Sequence, residues 1–136
     1  MMISTRGRYA LRVMLQLAEH SADGYIPMKD VAESQNISLK YLEKIMPILV
    51  KANMIEGVHG KGGGYKLTKA PNEYIVGDII HLTEGDLATV SCLECNAEAC
   101  SRSENCLTLP MWTKLNDMIN DFFGNITLED LLNKRV

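Results

Sequence analysis

The sequence lacks the long apolar segments of a membrane protein. No apolar run in its 136 residues approaches the ~20 residues that a helix needs to span a bilayer. The N-terminal stretch is also unlike a signal peptide, because Arg12 interrupts its apolar part and no small-residue cleavage site follows. We therefore expect no membrane partner and a cytoplasmic location, where cysteines stay reduced and favour metal or redox chemistry over structural disulfides.

Residues for catalysis are scarce as well. The chain has three scattered histidines, and no nucleophile–base pair can be recognised around them. A phosphate-binding loop is excluded, because Gly62 follows Lys61 where the GxxxxGKS/T motif requires serine or threonine. An enzyme is therefore not expected.

The charge of the chain is unevenly distributed, although its net value is only −3. Residues 1–70 carry ten Lys and Arg against six Asp and Glu, for a net charge of +4. Residues 71–136 carry four against eleven, for a net charge of −7. This division suggests a nucleic-acid-binding region at 1–70 and a region of different role at 71–136. The length and the hydrophobic content of 46% nevertheless predict one compact domain overall.

The spacing of apolar residues predicts three helices in the basic half, at about residues 5–20, 28–35 and from 38 onward. The second and third are separated by a turn at Asn36, and Ser38 is suited to cap the third. Two short helices joined by a tight turn favour a helix-turn-helix, although many helical hairpins share the pattern.

Several polar side chains of these helices lie off the apolar faces, where they could contact DNA. Near the start of the third helix they are Lys40, Tyr41, Glu43 and Lys44. On the first helix they are Arg6, Arg8 and Arg12, which suit solvent as well as phosphate, and we count Arg8 among the candidate contacts. Pro47 lacks the N–H that would bond to the Glu43 carbonyl, so we expect the third helix to kink or end there.

A short hairpin is predicted after the third helix. Met54–Glu56 and Tyr65–Leu67 have the character of strands, and the glycine-rich segment between them carries His59 and Lys61. A hairpin that follows a helix-turn-helix is a wing, whose tip can enter a groove or lie along phosphates. An ordinary flexible hairpin has the same sequence pattern.

The acidic half is dominated by a long apolar helix. After a short helix at 75–84 that Gly85 stops, a helix is predicted from Leu107 to Gly124. It carries six apolar residues: Met111, Leu115, Met118, Ile119, Phe122 and Phe123. A domain this small cannot cover them all, so we predict a homodimer, which suits a DNA operator with two half-sites. The predicted fold is mainly α with a small β-hairpin, a winged helix-turn-helix followed by a C-terminal dimerisation helix.

All four cysteines lie in one polar segment, at Cys92, Cys95, Cys100 and Cys106. A core that used cysteine only as a small apolar residue would scatter it. The grouping indicates a ligand set or a redox device. Its spacing leaves open an iron–sulfur site, a structural zinc site and a thiol–disulfide switch.

Five segments together resemble the Rrf2 family of bacterial winged-helix regulators. They are ISTRGRYALRVMLQLA, ISLKYLEKIMPILVKANMI, GVHGKGGGYKL, VGDIIHLTEG and NITLEDLL. Within that family the chain is similar to iron–sulfur regulators of the IscR type. The resemblance implies that the third helix enters the major groove, with Ser38, Lys40, Tyr41, Glu43 and Lys44 near DNA. It implies further that the wing, with His59 and Lys61, enters the minor groove.

The chain departs from this family pattern at two places. The position of His59 usually holds arginine, a stronger cation, so minor-groove affinity is expected to be lower. The histidine expected three residues after the last cysteine is replaced by Leu109, which cannot bind a metal.

The resemblance therefore implies a cluster site with an unusual fourth ligand. Cys92, Cys100 and Cys106 match the family's three cysteines, and we predict that Cys95 completes a [2Fe-2S] site in place of the histidine. A side chain of the partner subunit is the competing fourth ligand, and zinc is the alternative metal. The expected function is a DNA-binding transcriptional regulator that senses iron–sulfur cluster status or redox stress.

Overall fold

The structure, a computed structural model, describes residues 2–136 as six α-helices and one antiparallel hairpin. In chain order these elements are α1 (Thr5–Glu19), α2 (Met28–Gln35), α3 (Leu39–Lys51), β1 (Ile55–Val58), β2 (Gly64–Leu67), α4 (Val76–Glu84), α5 (Leu109–Gly124) and α6 (Leu128–Leu132). The predicted fold class, a winged helix-turn-helix followed by a long helix, is confirmed.

Local signals place the ends of the first three helices. The side chain of Ser4 accepts a hydrogen bond from the Gly7 N–H at the start of α1, and Ser38 Oγ accepts one from the Tyr41 N–H at 3.1 Å at the start of α3. Between α2 and α3, Asn36 adopts the left-handed conformation with φ of 53°. Asparagine tolerates this conformation better than most residues, so the tight turn forms where it was predicted.

Of the two outcomes expected at Pro47, a kink or an end of α3, the second is wrong. The helix continues through Pro47 to Lys51. Pro47 and Glu43 lie on the exposed face, so the carbonyl that lacks its helical partner faces water instead of the core. The buried face of α3, with Leu42, Ile45 and Leu49, holds the helix in place across this defect.

The core is built around α1, which contacts elements from both halves of the chain. Fully buried side chains of α1, such as Val13, Met14 and Leu17, pack in one cluster with Leu42 of α3, and α4 and α6 also pack against α1. Leu128 of α6 belongs to the same cluster and is completely buried. Leu39 and Val50, near the two ends of α3, are exposed, unlike the buried Leu42, Ile45 and Leu49 between them.

The hairpin forms the predicted wing and is fixed at its base. Strands β1 and β2 pair from Ile55↔Leu67 to Val58↔Gly64, and Ile26, just before α2, pairs with Tyr65 on the other edge of β2. Gly64 lies so close to the Ile26 carbonyl that a Cβ would overlap it, and its φ of 150° also favours glycine. Glycine at this position therefore lets the wing pack against the segment that leads into α2.

The chain after α5 returns to the start of α4 and pairs with it through backbone hydrogen bonds. Thr127 pairs with Ile75, and Thr127 and Asp130 form a capping box at the start of α6. Hydrogen bonds from the Thr127 backbone and from Arg135 lower the pKa of the Asp130 carboxyl. Helix α5 itself lies on the outside, and none of its 16 residues, all in the described part of the chain, is fully buried. Across residues 2–136, no helix is long and apolar enough to cross a membrane.

Candidate nucleic-acid interface and cysteine loop

The start of α3 presents the polar residues that the sequence singled out. Ser38, Lys40, Glu43 and Lys44 are all exposed, and Tyr41 is half-buried. Positions 40, 43 and 44 lie on one side of the helix, because residues three and four apart are neighbours on a helical surface. The fold thus places Lys40, Glu43 and Lys44 on one surface, which we call the recognition face. Their contact with DNA stays a prediction.

The arginines of α1 differ in what they contact. Arg8 is accessible to a phosphate because it is exposed, and its guanidinium donates to Thr5 Oγ1 at 3.1 Å. Arg12 is half-buried and donates from Nε to Gln35 Oε1 at 3.2 Å and from Nη2 to the Gln35 carbonyl. Arg12 is therefore less available to solvent or phosphate than Arg8. Its partner lies 23 positions away on another helix, which no local sequence signal reveals.

The wing carries its two candidate residues at the tip and a polar anchor at its base. His59 and Lys61 are exposed. At the base, Lys66 Nζ lies 3.2 Å from Glu56 Oε1 and 4.7 Å from the ring centre of Tyr25. The hydrogen bond with Glu56 raises the pKa of Lys66, so this lysine stays charged. No local sequence pattern predicts this group, because Tyr25 is distant in sequence from the strands that hold its partners.

The segment from Cys92 to Cys106, which we call the cysteine loop, holds its four thiols apart from one another. Cys95 and Cys100 are exposed, Cys92 and Cys106 are partly buried, and all four are free. Among residues 2–136, no three His, Cys, Asp or Glu side chains are close enough to hold a metal ion. The donor chemistry fits a four-thiolate iron–sulfur or zinc site, and closing the site would require the loop to rearrange.

Two of these cysteines have defined surroundings. Cys106 Sγ lies 3.4 Å from Thr108 Oγ1 just before α5, and hydrogen bonds from the Thr108 hydroxyl and from the Thr108 and Leu109 backbone lower the pKa of its thiol. The Cys95 N–H donates to the Asp86 carboxylate, which also accepts from the Ala88 N–H at 2.8 Å. These bonds lower the pKa of Asp86, that from Cys95 being the larger cause.

Helix α5 exposes a continuous apolar surface. Its exposed apolar residues are spaced by four, three and four positions, a seam along one side of a helix, at Met111, Leu115, Met118 and Phe122. Leu115, Met118, Ile119, Phe122 and Phe123 line a hollow of about 340 Å³. Such a seam on a small protein marks a surface for association.

Comparisons with known proteins agree with this geometry. Residues 3–134 match the model of the Rrf2 family, described as an iron-dependent transcriptional regulator. The HTH-type transcriptional regulator IscR of Pectobacterium carotovorum subsp. carotovorum (strain PC1) is 40% identical over 135 residues, which cover 99% of this chain and 81% of that protein.

Two solved structures are similar over nearly the whole chain. CymR, described as the global cysteine regulator of B. subtilis, is 32% identical with a TM-score of 0.82, and the match covers 98% of each chain. T. potens IscR is 32% identical with a TM-score of 0.78, covering all of this chain and 89% of that one.

Proposed function

The chain belongs to the Rrf2 family of transcriptional regulators, and we propose that it acts as a homodimer that binds a DNA operator in response to a cysteine-bound iron–sulfur cluster. It is an IscR-like transcriptional regulator, and its relatives are named as regulators and not as enzymes, as the sequence predicted. The finer parts of the proposal are which side chains contact DNA, what binds the cysteines and how the subunits associate.

The observation that carries DNA recognition is the exposed polar start of α3 beside an anchored wing. On the recognition face, Lys40 and Lys44 supply positive charge for phosphates, while Glu43 can accept a hydrogen bond from cytosine N4. His59 and Lys61 extend the basic surface toward a neighbouring groove. This arrangement combines side chains that position the protein on DNA with one that discriminates between bases.

Selection from a random pool of duplexes tests DNA recognition. The full-length protein, purified without oxygen, should enrich one sequence class, and a pseudo-palindrome is expected because a dimer presents two recognition faces. The affinity for the enriched duplex should fall with rising salt, as phosphate contacts require. Recovery of a pool as random as the starting one would contradict the proposal.

The cysteine loop is the proposed sensor. Cys92, Cys95, Cys100 and Cys106 would supply the four thiolates, which fit a [2Fe-2S] cluster; when bound, this cluster supplies a redox-active centre. Because the four thiols stand apart in the described residues, cluster binding would rearrange the loop between Asp86 and α5. Such a rearrangement changes DNA affinity only by as much as it favours the DNA-competent state of the dimer.

Replacement of Cys95 by serine tests the ligand assignment. Wild-type protein purified without oxygen should contain iron and sulfide and absorb visible light, whereas Cys95→Ser should lose most of its cluster because a hydroxyl is a poor ligand for iron. Ser101→Ala, in the same exposed loop, is the matched control and should keep full iron content. Unchanged iron and sulfide in Cys95→Ser would show that the fourth ligand lies elsewhere, for example in the partner subunit.

The same loop supports a second candidate, because four free and accessible thiols also suit zinc or a thiol–disulfide switch. Colourless wild-type protein that contains zinc would favour a structural zinc site. Metal-free protein in which a mild oxidant consumes thiols in pairs would favour the switch. Either result would replace the iron–sulfur proposal and leave DNA recognition intact.

A further inference from the structure

A chain of side-chain contacts joins α1 to the start of the recognition helix α3. The Arg12 guanidinium carbon lies 5.1 Å from the ring centre of Tyr9, and the Tyr9 ring meets the Tyr41 ring edge to face at a centroid distance of 5.2 Å and an angle of 71°. Arg12 also holds Gln35, the last residue of α2. These four residues, which we call the Tyr9–Arg12 bridge, link all three helices of the helix-turn-helix region.

The polar end of this bridge is held by further hydrogen bonds of Gln35. Gln35 Oε1 accepts from Arg12, and Gln35 Nε2 donates at 2.7 Å to Gln16 Oε1. Gln16 is only 7% exposed, and its Oε1 also accepts from Ser34 Oγ at 3.0 Å. An amide whose oxygen and nitrogen both have partners can take only one orientation. The bridge is therefore anchored at its α1–α2 end.

The other end of the bridge lies at the recognition face. Tyr41 follows Lys40 directly and precedes Glu43 by two positions, and its own N–H donates to the Ser38 cap. An edge-to-face aromatic contact has a preferred geometry, so Tyr9 restrains the ring of Tyr41 and with it the rotation of the first turn of α3. Arg12 restrains Tyr9 in turn through the cation–π contact.

We propose that Tyr9 and Arg12 are positioning residues that determine sequence discrimination by α3 without contacting DNA themselves. The inference rests on the proposed DNA-binding function. It assigns Arg12, which a basic helix would suggest as a phosphate contact, to a different role, because its Nε and Nη2 donate to Gln35 and its guanidinium lies over the Tyr9 ring. Base contacts require accurate placement of side chains, whereas phosphate contacts tolerate displacement.

The test compares Arg12→Lys, Arg12→Met and Tyr9→Leu with Arg8→Met, an exposed arginine of the same helix. Lysine keeps the charge at position 12 but cannot donate in fork geometry to the two oxygens of Gln35. Dissociation constants are measured at several salt concentrations for the duplex that wild type enriches and for a scrambled duplex of equal composition. Circular dichroism and thermal unfolding verify that each variant is folded.

All three bridge variants should lose about tenfold or more of the discrimination between the two duplexes. Binding to the scrambled duplex should change little, and the slope of log affinity against log salt should stay as in wild type for Arg12→Lys and Tyr9→Leu. Arg8→Met should show the opposite behaviour, keeping discrimination while the slope falls in magnitude by about one.

Three results would overturn the inference. A smaller salt slope in Arg12→Met with discrimination intact would make Arg12 a phosphate contact. Equal loss of affinity for both duplexes in Arg12→Lys and Tyr9→Leu would reduce the bridge to general stability. Folded variants with wild-type discrimination would remove any role in recognition. Failure of wild type to enrich a duplex would instead contradict the proposed function, and the two failures are thereby distinguished.

Discussion

Glu43 is the acidic member of the recognition face and carries the most specific expectation at the scale of single residues. It is exposed between Lys40 and Lys44, which lie on the same side of α3. A carboxylate repels phosphate and base acceptors, so it weakens binding to most DNA and favours only sequences that offer a donor such as cytosine N4. Its expected contribution is therefore discrimination between sequences and not affinity.

Glu43→Ala should relax sequence preference without lowering affinity for unrelated DNA. Removing the charge eliminates both the hydrogen bond to a correct base and the repulsion of a wrong one, so the affinities for enriched and scrambled duplexes should converge. Fluorescence anisotropy with the two duplexes measures this convergence. Lys44→Ala is the matched control, for which both affinities and the salt slope should fall. An unaltered preference in Glu43→Ala would remove Glu43 from the recognition face.

At the scale of elements, α5 differs from the other long helices because it contributes little to the core. Its apolar seam is exposed, and Met118, near the middle, is 58% exposed. Helices α1 and α3 bury their apolar faces within the chain, whereas α5 has only α4 beside it as a major neighbour. A second copy of the seam is the proposed cover, since a homodimer interface is self-complementary.

Met118→Glu should convert the protein to a monomer. A carboxylate in the middle of an apolar interface loses its hydration and gains no partner, which costs several kcal/mol of association free energy. Light scattering or sedimentation across a concentration series measures the mass, and affinity for the enriched duplex should fall with it. Thr113→Glu adds the same charge on the opposite side of α5 and should leave the dimer intact. Met118→Glu that remains dimeric would place the interface elsewhere.

At the scale of the whole molecule, the charge division does not correspond to a division of the core. Ile79 and Leu128 come from the acidic half and pack in the same cluster as Val13 and Leu42 from the basic half. Helix α1 mediates this contact, because α4 and α6 pack against it while it also packs against α2. Packed elements therefore connect α4, which precedes the cysteine loop, with the helix-turn-helix, and a demonstration of coupling requires DNA affinity to be compared with and without the cluster.

Much of the fold could be predicted because its signals are local. The Ser38 cap and the Asn36 turn depend on residues only a few positions apart, so both form where the sequence predicts them. The predicted end of α3 at Pro47 is wrong because that prediction considered only the local effect of proline. Packing of the buried face lets the helix continue beyond Pro47. Helical periodicity alone predicted the exposure of Lys40, Glu43 and Lys44, which the structure shows, whereas Tyr41, predicted on the same outer face, is half-buried against Tyr9.

The sequence by itself determined the order of elements, the placement of the cysteines in one loop and the apolar seam of α5, because each depends on spacing along the chain. Only the tertiary structure decided that Arg12 pairs with Gln35 and Tyr9, and that the four thiols in residues 2–136 stand apart. Long side chains can reach partners on any neighbouring helix, and a loop without regular structure leaves the separation of its thiols undefined. Both facts depend on which elements pack together, and that is a property of the folded molecule.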